Sequence, residues 1–114
     1  MSIRFNENDV RAMGRTATGV KGITLSKGDQ VVSMDLISNG SDLLVVSEKG
    51  FGKRTETEEY RPQIRAGKGI KTYNINSKTG KLVGATLVNE DDEMMMINSN
   101  GVLIRIRVNE ISIF

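Results

Sequence analysis

The sequence predicts an all-β fold assembled from repeated, propeller-like blades of about four strands each. Two observations carry that reading. The candidate strands are short, rich in Val, Ile, Leu and Met, and bounded by Gly, Asn, Asp and Ser. The strand and turn landmarks also recur at about fifty residues, the span of one four-stranded blade.

Taken in order, Ile3-Arg4-Phe5 opens the chain on a strand-like segment. Residues 6–13 form a polar stretch, matched by residues 56–62, and each reads as a loop with one helical turn. Lys27-Gly28-Asp29 signals a turn before Val31-Val32-Ser33-Met34-Asp35-Leu36. That strand corresponds to Leu82-Val83-Gly84-Ala85-Thr86-Leu87, fifty-one residues later. Ser38-Asn39-Gly40-Ser41 is a second turn signal. Leu43-Leu44-Val45-Val46 follows and ends in Ser47-Glu48-Lys49-Gly50. Its counterpart, Met94-Met95-Met96-Ile97, ends in Asn98-Ser99-Asn100-Gly101, and the methionines suit a buried, irregular core position. Gly80 and Glu90-Asp91-Asp92 mark two more turns. Arg11 matches Arg61 and Arg15 matches Arg65 at an offset of 50, whereas Gly22-Ile23 matches Gly69-Ile70 at 47. The second copy has therefore shortened that loop. The expected organisation is a first repeat over 1–52, a second over 53–101, and a terminal strand in 102–114 that opens a third.

That is about two and a quarter units, and a propeller closes with roughly 4–8. Repeats bury their faces on one another. The expectation is a piece of a longer chain, with Met1 as an expression start, or self-association of the open blade edges. Three copies would supply about six blades.

Composition excludes several function classes. There is no cysteine, so neither a disulfide framework nor thiolate chemistry, and a reducing cytoplasm is expected. There is no histidine, which removes the commonest general base and transition-metal ligand. Aromatics are only 4%, too few for a base-stacking platform. No apolar run approaches the roughly 20 residues of a membrane span, and the first residues are not a signal peptide. Gly67-Lys68-Gly69 lacks the full phosphate-loop pattern. Glu90-Asp91-Asp92-Glu93 does not have calcium-loop spacing and reads as a solvated turn. No activated nucleophile is evident, so no catalytic, cofactor or metal residue is assigned.

Net charge is only +2, yet the charge is sorted. Between Tyr60 and Lys81 lie Arg61, Arg65, Lys68, Lys71, Lys78 and Lys81 with no acidic residue. At its centre, Arg65-Ala66-Gly67-Lys68-Gly69-Ile70-Lys71 interleaves cations with small residues, so a phosphate could approach main-chain N–H groups. Arg4, Lys53 with Arg54, and Arg105 with Arg107 fall at equivalent repeat positions, which predicts a row of cations along a rim. In Ile104-Arg105-Ile106-Arg107 the alternation puts both arginines on one face. A curved row of cations would hold and bend duplex DNA without reading its sequence. The alternative is a protein-interaction or assembly module whose basic loops are merely solvated.

Two motifs are specific. Val10-Arg11-Ala12-Met13-Gly14-Arg15-Thr16-Ala17-Thr18-Gly19-Val20-Lys21-Gly22-Ile23 is the first. The second is Glu48-Lys49-Gly50-Phe51-Gly52-Lys53-Arg54-Thr55, followed by Tyr60-Arg61-Pro62-Gln63-Ile64-Arg65-Ala66-Gly67-Lys68-Gly69-Ile70-Lys71-Thr72. Both resemble blades of the carboxy-terminal domain of bacterial DNA gyrase A, in the style of Gram-positive enzymes. The resemblance covers nearly the whole chain. It implies a beta-pinwheel of six blades that exchange strands, with DNA wrapped around a basic perimeter to support negative supercoiling. The family's box, Gln-Arg-Arg-Gly-Gly-Lys-Gly, is approximated by Gln63-Ile64-Arg65-Ala66-Gly67-Lys68-Gly69, with Ile64 and Ala66 as departures.

By this resemblance and the charge pattern, the DNA-binding set is Arg4, Arg11, Arg15, Lys21, Lys53, Arg54, Arg61, Arg65, Gly67, Lys68, Gly69, Lys71 and Arg105. The resemblance further implies a non-catalytic piece of a type IIA topoisomerase whose partners are double-stranded DNA, the rest of gyrase A and gyrase B. Neither Tyr60 nor Tyr73 is marked as a cleavage tyrosine. ATP and Mg would serve the parent enzyme rather than this chain, and the location would be cytoplasmic and nucleoid-associated. The related topoisomerase IV domain carries similar blades.

Overall fold

The computed structural model describes residues 1–10, 12–111 and 113. It is all-β, with five strands in two antiparallel sheets: β1 (Asp42–Ser47), β2 (Gly52–Glu56), β3 (Leu82–Val88), β4 (Glu93–Ile97) and β5 (Leu103–Arg107). One sheet has the order β2-β1-β3 and the other pairs β4 with β5. The expected four strands per blade are not reached, and no closed propeller is seen among the described residues. The reason lies partly in residues 31–36, which form no strand although their counterpart β3 pairs along β1.

The repeat survives in the hairpins. Each ends in a glycine turn: the Gly50 N–H donates to the Ser47 carbonyl at 3.1 Å and the Gly101 N–H to the Asn98 carbonyl at 3.0 Å. Both glycines sit at positive φ, 86° and 82°, where a β-carbon would be strained. The expected helical turns appear as short 3₁₀ segments over Glu7–Asp9 and Thr57–Glu59, with a third at Val108–Glu110 in the same phase. The Asn6 side chain caps the first by accepting from the Asn8 N–H at 2.9 Å. Ile37–Asn39 adds a fourth in place of the simple turn expected at 38–41.

Compact units and sequence repeats are different things here. One unit comprises Met1–Gln30 with Glu58–Asn74, and the other comprises Val31–Thr57 with Ile75–Phe114. Each draws on both repeats. In the second unit β1 lies between β2 and β3, and Leu44, Val88 and Val108 form the buried core, flanked by Val46, Met94 and Ile111. Burying each such side chain stabilises by about 1.5–3 kcal/mol, so this is a small core. The methionine run is only partly buried: Met94 packs on the core, whereas Met95 is 63% exposed.

The first unit holds no strand ladder among its described residues. Cross-links between its two segments define it instead. The Ser2 N–H donates to the Ile70 carbonyl at 2.7 Å, the Gln63 N–H to the Arg4 carbonyl at 2.6 Å, and the Ala66 N–H to the Gly22 carbonyl at 2.6 Å.

Asp35 anchors residues 31–39 within the second unit. Its carboxylate accepts from the Asn39 side chain, from the Leu36 N–H at 2.8 Å and from the Leu87 N–H at 3.3 Å. These bonds, the Asn39 one foremost, hold its pKa below the ordinary aspartate value. A depressed carboxylate contributes stability above its unfolded pKa and loses it as pH falls through the folded value. Asp35→Asn should therefore lower the urea midpoint at neutral pH, and the gap from wild type should close in acid. A gap that persists unchanged to the lowest pH at which the chain folds would refute this role.

Candidate nucleic-acid interface

Of the thirteen sequence candidates, nine fall in the first unit: Arg4, Arg15, Lys21, Arg61, Arg65, Gly67, Lys68, Gly69 and Lys71. Arg11 lies outside the described residues. Lys53, Arg54 and Arg105 fall in the second unit.

The loop after Tyr60 begins on a buried ring, since Tyr60 is 7% exposed. It emerges at once, and Arg61, Lys68 and Lys71 are exposed, as are Arg15 and Lys21 in the first segment. These five side chains have no carboxylate partner among the described residues. No acid lies between Tyr60 and Asn74 within the unit, so this stretch keeps its positive charge although Glu58 and Glu59 directly precede it.

Arg65 has a second occupation. Its Nε donates to the Asp9 carbonyl at 3.2 Å and its Nη1 to the Lys21 carbonyl at 2.9 Å. A guanidinium carries five N–H donors, so Arg65 clamps the first segment and retains donors for an anion. It also lines a shallow open depression with Asp9 and Ile64.

The two glycines divide. A β-carbon on Gly67 would meet only ordinary contacts, the nearest being Ile3 Cδ1 at 3.5 Å. On Gly69, at φ 86°, it would lie 2.5 Å from the Ser2 carbonyl oxygen. Gly69 thus permits a close backbone approach to Ser2. Ala66, where the family box has glycine, also sits at positive φ, 72°.

The repeated arginines are each engaged within the chain. Arg54 is 3% exposed; its Nη1 meets Asp42 Oδ2 at 3.2 Å and its Nε donates to the Ile111 carbonyl at 3.0 Å. Phosphate cannot reach it, and Arg54 leaves the DNA-contact set. Arg4 does the equivalent thing one period earlier, donating from Nη1 to the Tyr60 carbonyl at 3.2 Å. Both acceptors directly follow a 3₁₀ turn of the next repeat. Each arginine is a staple between successive repeats. Arg105 is exposed but faces Glu93, with Nε to Oε2 at 3.0 Å and Nη2 on the same oxygen. Lys53 is half-buried. Arg105 and Arg107 are both exposed, as the alternation predicts, but of the two isoleucines expected behind them only Ile106 is half-buried and Ile104 is exposed.

The acidic turn is committed as well. Asp92 Oδ2 accepts from the Asn89 N–H at 2.7 Å and Glu93 holds Arg105. No cluster of acidic residues suited to a metal ion, and no helix long and apolar enough to cross a membrane, occurs among the described residues.

This geometry has counterparts. The family described as DNA gyrase C-terminal domain, beta-propeller, matches residues 1–38, 41–89 and 92–113. The DNA gyrase A protein of Ureaplasma parvum serovar 3 is 47% identical over 111 residues, covering 97% of this chain and 13% of that protein. That of Staphylococcus aureus strain MRSA252 is 48% identical over 112 residues, covering 96% and 13%. The chain therefore spans about an eighth of the length of the curated relatives it matches. Among solved structures, the C-terminal domain of a DNA topoisomerase IV superposes with a TM-score of 0.86 at 25% identity, covering 96% of this chain and 35% of the other. A DNA gyrase A C-terminal domain superposes with a TM-score of 0.84 at 33% identity, covering 93% and 36%.

Proposed function

We propose a DNA-wrapping role for this chain from one premise: it belongs to the DNA gyrase C-terminal domain family. The chain binds duplex DNA without sequence preference and contributes to bending it. The observation that carries this reading is the first unit's exposed cations, Arg15, Lys21, Arg61, Lys68 and Lys71, on a stretch where the last three have no acid between them. Phosphate contacts of this kind fix position but carry no base information. Bending a site of 20–30 base pairs costs on the order of 1–6 kcal/mol, more than one cation supplies, so several blades must share it.

In the parent protein each blade reaches about four strands and neighbours exchange strands, a reading supported by the pairing of β1 with β3. The work is non-catalytic: DNA cleavage, ATP and Mg belong to the rest of a type IIA topoisomerase, assembled from the remaining gyrase A and gyrase B chains in the cytoplasm. Gly67 supports close approach of DNA, and Arg65 holds the loop while meeting phosphate with its remaining donors.

The test is affinity of the full chain for random-sequence duplex as salt is varied, in wild type and in Arg61→Ala/Lys68→Ala/Lys71→Ala. The log–log slope should fall by about 0.9 for each phosphate that the variant no longer neutralises, alike on any sequence. No duplex affinity at low salt, or an unchanged slope in the folded variant, would overturn the reading.

A further inference from the structure

We propose that Ile64 is an apolar wedge that enters between neighbouring base pairs of a bound duplex and kinks it there. The inference rests on the DNA-binding reading and goes beyond it, because cations hold phosphate and leave the base stack untouched. Ile64 is 83% exposed within the basic loop, between Arg61 and Lys68, which are exposed as well. An isoleucine so placed adds little to the packing of its own chain.

The openness belongs to the repeat itself. Ile64 is exposed although the preceding repeat is bonded to its loop on both sides, at Gln63 through Arg4 and at Ala66 through Gly22. Its equivalent fifty residues earlier is Gly14, just as Arg15 is the equivalent of Arg65. There the following repeat is the one in place, through the Arg65 bonds to Asp9 and Lys21. A β-carbon on Gly14 would still meet nothing within 4 Å among the described residues. Neither the repeat before nor the repeat after covers this position. The family's box has arginine at the same place, a residue type that belongs in a solvent-facing position.

A wedge must also be held stiffly, because a base stack resists being parted. Pro62 fixes its own φ two residues before Ile64. The Gln63 N–H donates to the Arg4 carbonyl and the Ala66 N–H to the Gly22 carbonyl, both at 2.6 Å. The Thr24 hydroxyl donates to the Ala66 carbonyl, and Arg65 clamps the first segment from the next position along. The backbone around Ile64 is therefore tied down while its side chain stands free. Asp9 lines the depression beside it with Arg65, so phosphate is held to the flanking cations rather than over Ile64.

Apolar side chains inserted at a base step kink the duplex, and pyrimidine–purine steps yield most readily. The phosphate contacts stay indifferent to sequence. The wedge adds a weak preference for deformable steps with no hydrogen bond to a base edge.

The experiment uses the full chain and a short duplex with the fluorescent base 2-aminopurine at a single TA step and a donor–acceptor dye pair at its ends. Wild type should brighten the 2-aminopurine and bring the ends closer. Ile64→Ala should keep the wild-type melting temperature and salt slope, bind roughly three- to tenfold more weakly, and lose the brightening and part of the bend. Ile64→Met should retain all three. Ile64→Arg should regain affinity through charge, steepening the slope by about 0.9, without regaining the brightening. Undiminished affinity or brightening in Ile64→Ala, or no brightening by bound wild type, would overturn the wedge and leave the DNA-binding reading standing. No wild-type affinity for the duplex at low salt would overturn both.

Discussion

Arg54→Ala should destabilise the second unit by about 3–5 kcal/mol, the cost of leaving a buried charge unpaired. Asp42 and Arg54 side chains are 8% and 4% exposed, so the stranded carboxylate cannot turn to water. The Ile111 carbonyl loses its donor at the same time. Against a domain stability of about 5–15 kcal/mol, the urea midpoint should drop by a large fraction. Arg105→Ala is the matched control. It breaks the same pair on the other hairpin, where the side chains are 63% and 43% exposed, and should cost less than about 1 kcal/mol. Equal losses from the two substitutions would sink this account. An Asp42→Leu/Arg54→Met double variant should recover much of the loss, because removing both charges leaves nothing unpaired.

The contrast between Arg54 and Arg105 shows where the sequence is informative. Period, polarity and turn residues are local properties, and they marked the strands now seen as β1, β3, β4 and β5, the glycine turns at Gly50 and Gly101, and the 3₁₀ turns after Asn6 and Glu56. Burial is not local. Arg54 and Arg105 look alike in sequence, and what separates them among the described residues is the strand β3, which pairs with the first hairpin and not the second. The same cause splits Leu44 from Met95. One sequence signal could have warned that Arg54 was a staple: an acid, Asp42 or Glu93, recurs twelve residues before each arginine. A carboxylate that repeats in phase with a cation points to a recurring pairing geometry, not to a free phosphate ligand. The acid-free loop from Tyr60 onward carries no such partner, which is why its cations stayed exposed.

Gly69→Ala should cost about 2–4 kcal/mol, from a positive φ together with a clash against main chain that cannot swing aside. The β-carbon would lie 2.5 Å from the Ser2 carbonyl oxygen and 2.8 Å from its carbon. Relieving that clash parts Ser2 from Ile70, where each N–H donates to the other's carbonyl, and opens the side of the loop that presents Lys68 and Lys71. DNA affinity should therefore fall although no charge is removed. Gly67→Ala, with its nearest neighbour at 3.5 Å, should fold normally and test the loop's approach to phosphate instead. Ala66→Gly should be neutral or stabilising by less than about 1 kcal/mol, since relief of its φ of 72° is offset by the freer unfolded chain. Thermal melts and salt-dependent duplex binding of the three variants separate the two roles. A loop glycine that serves DNA alone would lose affinity without losing stability, and Gly69 should not behave that way.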